Sequence, residues 1–98
     1  MKPANQADGM PQDAKPRLPK GVRLRHDHAR GEWLLLAPER VVKADAIAVE
    51  ILKRCTGETT FDAIVTDLAA TYQAPRDRIA ADVSVLLRGL ADKQLLEL

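Results

Sequence analysis

The stretch Gly31-Glu32-Trp33-Leu34-Leu35-Leu36-Ala37-Pro38-Glu39-Arg40-Val41-Val42-Lys43 decides the fold of this chain. Glu32 to Ala37 is a short continuous apolar run, the pattern of a strand with neighbours on both edges or both faces. Pro38 has no N–H for a ladder and ends the run. Arg40 to Lys43 then forms a brief strand that returns beside the first, at a sheet edge. On the other side, Val22 and Leu24 alternate with Arg23 and Arg25, and His26 to Gly31 supplies a polar connection. The expectation is a three-stranded antiparallel sheet with Glu32–Ala37 at its centre.

From Asp45 onward the apolar period becomes helical. Asp45 is the N-cap of a first helix whose stripe is Ile47, Ala48, Ile51, Leu52 and Cys55, ended by Gly57. Thr59 or Thr60 caps a second helix striped by Phe61, Ile64, Val65, Leu68, Ala69 and Tyr72. The third begins near Pro75 and carries Ile79, Val83, Leu86, Leu87 and Leu90 on one face. Leu95, Leu96 and Leu98 are left as an apolar tail. Strands followed by amphipathic helices that must bury one another define an α+β fold, winged helix-turn-helix-like, in which a three-helix bundle follows the sheet.

The chain has 98 residues, enough for one small core. Residues 1–18 hold prolines, Gly9 and scattered polar groups, and read as a disordered tail or linker ahead of a domain at 19–98. The formal net charge of +1 provides no whole-molecule field that would draw the protein to DNA or an anionic membrane. The single cysteine cannot close an internal disulfide, and neither a signal peptide nor a spanning segment is visible, so the expected compartment is the cytoplasm.

No catalytic set assembles in the sequence. His26 and His28 flank Asp27, but a tetrahedral metal site needs more ligands, and a solvated turn is favoured over a metal site. Cys55 continues an apolar stripe and reads as a core residue, not a nucleophile. Gly57 and Gly89 are isolated, so no glycine-rich loop cradles a phosphate and no cofactor is expected. What remains is the edge of the third strand, Arg40, Val41, Val42 and Lys43. Charge at Arg40 and Lys43 can blunt that edge, or the edge can accept an added strand, and the pattern leaves both open. Arg78, Asp82, Leu86 and Gly89 share one flank of the third helix. Gly89 inside a helix points either to close approach, by a neighbouring strand or by a bound chain, or to simple tolerance.

The segments Gly21–Arg25 and Arg30–Val42, with Leu-Leu-Ala-Pro-Glu at 35–39 as the most specific part, resemble the N-terminal half of the PqqD family. Ile51-Leu52, Cys55-Thr56-Gly57, Ile79, Asp82-Val83 and Leu86-Leu87 carry the likeness to the C-terminus. The resemblance implies a non-enzymatic peptide chaperone of pyrroloquinoline quinone (PQQ) biosynthesis, with a recognition element shared by many pathways that modify ribosomally made peptides. It implies binding of the precursor peptide PqqA and its delivery to the radical S-adenosylmethionine enzyme PqqE, which cross-links a glutamate and a tyrosine. It further implies that PqqA adds a strand beside the third strand and lies over the third helix, and that some members are fused to PqqC. Arg40 to Lys43 would then supply backbone bonds. The resemblance assigns no individual side chains; the expectation from the helix flank is that Arg78, Asp82 and Leu86 line the groove, with Gly89 on the same flank.

Two other readings are carried forward. One is a DNA-binding winged helix using Arg76, Arg78 and Arg88, although Asp77, Asp82 and Asp92 interrupt that surface. The other is a subunit that only stabilises PqqE, with Leu95–Leu98 as its contact or as a self-association patch.

Overall fold

The computed structural model describes residues 10–98. Three strands, β1 (Arg23–Asp27), β2 (Glu32–Ala37) and β3 (Arg40–Ala44), form an antiparallel sheet in the order β1-β2-β3. The apolar run therefore sits in the centre, as its composition predicted. His26 and Asp27, expected in the connection, instead extend β1 opposite Trp33 and Glu32. Leu35 is buried, and Leu24, Ala37, Val42 and Ala44 pack against the same core, which identifies the inner face.

Helices α1 (Ala46–Lys53), α2 (Phe61–Tyr72) and α3 (Arg76–Asp92) follow. Both predicted caps are present: Asp45 Oδ1 accepts the Ala48 N–H at 2.8 Å, and Thr60 Oγ1 accepts the Ala63 N–H at 3.1 Å. Pro75 stands just before α3, and its carbonyl accepts the Ile79 N–H at 3.1 Å. α1 touches β1, β3 and α2, and α2 packs on α3, so the helices cover one face of the sheet. Phe61, Ile64, Val65, Leu68, Val83 and Leu87 are buried on the predicted stripes. Each such apolar side chain contributes about 1.5–3 kcal/mol by leaving water.

Some stripe positions differ. Ile47 is 57% exposed and Val49 is buried, while Ile51 and Leu52 are buried as predicted, so the buried side of α1 is set by Val49, Ile51 and Leu52. α1 ends at Lys53, before Gly57. Cys55 therefore lies beyond the helix, buried, with its Sγ 3.3 Å from the Ile51 carbonyl. Tyr72 is 42% exposed at the end of α2, where Gln73 turns the chain at φ 51°.

The termini differ most from the expectation. Residues 1–9 of the expected tail lie outside the described residues. Residues 10–18, also read as tail, form a strap: Met10 and Pro16 are buried, and Ala14 and Leu18 pack on the core. The strap's carbonyls satisfy donors that α2 would otherwise leave orphaned. Phe61 N–H donates to Ala14 at 2.7 Å, and Asp62 N–H to Gln12 at 3.0 Å. Arg17 and Glu97 exchange two backbone bonds of 2.9 Å, and Arg17 Nε meets Glu97 Oε1 at 2.7 Å. The C-terminal apolar tail is drawn in with the strap: Leu95 and Leu96 are core residues, and only Leu98 stays exposed.

Arg54 joins α1 to α2 by pairing with Glu50 at 3.0 Å and Asp67 at 2.6 Å. The hydrogen bond from Arg54 holds the Glu50 carboxyl below its ordinary value of 4.5. A depressed folded-state pKa stabilises the fold above the unfolded value, and that contribution disappears as pH falls through the folded value. Urea unfolding at successive pH values below about 4.5 should show a steeper loss of stability in the wild type than in Glu50→Gln.

Candidate peptide-binding edge

β2 and β3 are joined by the two residues Pro38 and Glu39, and Ala37 pairs with Arg40. A two-residue hairpin closes on a hydrogen-bonded pair, after which bonded and non-bonded pairs alternate. Val42 and Ala44 therefore face β2 with their polar backbone groups. Val41 and Lys43 turn theirs to the open side. Among the described residues no strand pairs there, so this edge has unused donors and acceptors at a two-residue spacing.

The eight residues singled out in the sequence occupy distinct places. Val41 is 64% exposed, and Val42 packs inward on the core. Lys43 is exposed and pairs with Glu32 at 3.2 Å. Arg40 is not a free blunting charge: its guanidinium donates to the backbone carbonyl of Lys93, the residue that caps α3. This bond ties the start of β3 to the C-terminal end of α3. On α3, Arg78, Asp82 and Gly89 are exposed in one row, and Leu86 is half-buried against the core on the adjoining side. Arg78 lies about 16 Å along the helix from Gly89, too far for both to serve one short contact.

Val85, 74% exposed, was missed by the sequence reading. It stands three residues after Asp82 and four before Gly89, so helical spacing places it in the same row. That spacing is a signal present in the sequence, beside the stronger apolar stripe of the same helix. Gln94, with φ 63°, was missed too. With Pro19, Lys20, Pro38, Glu39 and Arg40 it helps line a cleft of about 330 Å³ at the end of β3.

A Cβ added at Gly89 would meet nothing within 4 Å, so among the described residues no strand approaches it. Simple tolerance of the glycine and approach by a bound chain both remain open. Gly89→Ala should raise stability by up to about 1 kcal/mol, from helix propensity alone. If a peptide backbone lies on this row, the same variant should bind it less tightly; thermal unfolding and titration together check both effects.

Chemistry of other kinds has little support in the geometry. Burial pushes the Cys55 thiol up to about 12, which keeps it protonated and unreactive. The Nδ1 atoms of His26 and His28 lie 3.0 Å apart, and Asp27 Oδ1 accepts the Ala29 N–H at 3.1 Å in the turn. Among the described residues no group of three or more His, Cys, Asp or Glu side chains is placed to hold a metal. Arg76, part of the DNA-binding reading, is bound to Asp62 and Thr66 of α2. The Leu95–Leu98 contact reading is also cut back, since Leu95 and Leu96 are internal. No helix among the described residues is long and apolar enough to cross a membrane.

Sheet, helices and open edge together define a small α+β module of winged-helix type. Residues 32–96 match the family described as Coenzyme PQQ synthesis protein D (PqqD), and the chain belongs to that family. A protein of Bradyrhizobium diazoefficiens named PqqA binding protein is 46% identical over 83 residues, covering 85% of this chain and 81% of the relative. One of the same name from Xanthomonas axonopodis pv. citri is 44% identical over 90 residues, covering 92% and 98%. The solution structure of the PqqD truncation of Methylobacterium extorquens PqqCD, described as a functional and stand-alone RiPP recognition element, superposes with a TM-score of 0.74 at 47% identity, covering 85% of this chain and 88% of that one. The crystal structure of PqqD from Xanthomonas campestris gives 0.58 at 44% identity, covering 91% and 99%.

Proposed function

We propose that this protein is a non-catalytic peptide chaperone of PQQ biosynthesis, which binds PqqA as an added strand along β3 and presents it to PqqE. The observation that carries the reading is the open β3 edge, whose outward N–H and C=O groups at Val41 and Lys43 match the backbone of an extended peptide. The names borne by its relatives supply the peptide's identity. An edge can bind any extended chain, so side chains must select one. Arg78, Asp82, Leu86 and Gly89 of α3, with Val85 in the same row, are assigned that task.

The protein works in the cytoplasm and is associated with, or fused to, a PqqC-like domain. The PqqCD of the Methylobacterium relative supports that association. Titrating labelled protein with synthetic PqqA should move the amides of Arg40–Lys43 and of the α3 row. Normal PqqA binding by a variant altered at both Asp82 and Leu86 would remove α3 from the site. Unmoved amides at ~1 mM peptide, where complexes worth about −4 kcal/mol are populated, would end the peptide reading. In a reconstituted reaction, PqqE should form the glutamate–tyrosine cross-link only when this protein is present.

A further inference from the structure

The outer face of the sheet departs from the usual alternation. Where helices cover one face, the other is normally polar. Here the central strand turns two leucines outward. Arg23, Leu36 and Val41 align across the three strands in one row, and Arg25, Leu34 and Lys43 in the next. The inward parity is that of Leu24, Leu35 and Val42. Leu34 and Leu36 lie outside the buried cluster and the side chains packed on it, and Val41 is 64% exposed. Lys43 is paired with Glu32, but among the described residues Arg23 and Arg25 have no ion-pair partner. Beyond Leu36 the face runs into an open cleft of about 420 Å³ between Gly21 and Pro38.

We propose that this face docks an acidic amphipathic helix of a partner protein. β2 is hydrogen-bonded to a strand on each side, so the face offers side chains and no backbone groups. A strand adds to an edge; a helix covers a face, as α1 covers the inner one. Leu34 and Leu36 are about 7 Å apart along β2, close to the 5.4 Å turn of a helix, so apolar residues one turn apart can sit over both. Arg23 and Arg25 border that apolar stripe on β1, and glutamates or aspartates beside the partner's apolar face would neutralise them. The cleft accepts one larger side chain from the helix end. The arginines that border this surface lie on β1, two strands from the β3 edge, and the proposal does not rest on peptide recognition at that edge.

The test uses a synthetic helix of about 18 residues with leucines on one face and flanking glutamates, and its counterpart with lysine for glutamate. The glutamate helix should move the amides of Arg23, Arg25, Leu34 and Leu36. Arg23→Glu/Arg25→Glu should weaken it at least tenfold and bring the lysine helix up instead. The same double variant should keep its dispersed spectrum and titrate with PqqA as the wild type does. Equal response to both helices, or no response at ~1 mM, overturns the proposal. Binding to anionic phosphatidylglycerol vesicles without binding to the glutamate helix also overturns it, in favour of a lipid surface.

Discussion

Replacing Val41 with proline should weaken PqqA binding at least tenfold, about 1.4 kcal/mol, without unfolding the protein. Proline removes the Val41 N–H, which the β2–β3 pairing turns to the open side, so no bond to β2 is lost. Edge strands tolerate proline for this reason. The incoming peptide loses a donor and meets a ring where its backbone should lie. Val42→Pro is the opposite case. Its N–H faces β2, and removing it leaves a β2 carbonyl unsatisfied, which costs about 1–3 kcal/mol of stability. Calorimetric titration with PqqA and thermal unfolding of the two variants separate these effects. Unchanged affinity in Val41→Pro would show that PqqA does not use this edge.

Leu95→Ala should destabilise the fold by about 2–5 kcal/mol, the range for emptying a fully packed leucine site. Leu95 is 0% exposed although it lies only three residues from the C-terminus. Leu98→Ala, at a 55% exposed position, should stay within about 0.5 kcal/mol. Denaturant unfolding of the pair is decisive: equal midpoints would mean that the C-terminal segment is not part of the core. Two backbone bonds join Arg17 to Glu97, so losing Leu95 should also loosen the strap. Exchange of the Arg17 and Phe61 amides should accelerate with it.

Much of the architecture was legible because local chemistry and tertiary structure agree. The run from Trp33 to Ala37 is apolar throughout and lies in the central strand. Asp45 and Thr60 precede helical periodicity and cap α1 and α2 through their own side-chain oxygens. The candidate edge followed from the same logic, since Pro38 forces a turn and Arg40–Lys43 is too short to be covered on both sides. Arg40 was only half understood. A guanidinium on a strand edge reads as a blunting charge, and nothing near it in sequence announces a carbonyl at Lys93. Gly89 was ambiguous for the same reason, because only the folded chain shows the space around it to be empty.

By itself, the sequence determined the order and type of the elements, the sheet with Glu32–Ala37 at its centre and the stripes of α2 and α3. It also contained the residues that link the chain to the PqqD family. These properties depend on neighbours within about one turn or one hairpin, where periodicity and capping act directly. Tertiary structure decided the roles of both termini. Residues 10–18 and 95–96 have too little local pattern to predict burial, yet they pack because α2 exposes orphan N–H groups and the core exposes apolar area that neither segment can sense alone. Tertiary structure also decided which leucines of β2 point outward. A run that is apolar at every position has no alternation to reveal its faces, and only the helices packed behind Leu35 leave Leu34 and Leu36 on the other side.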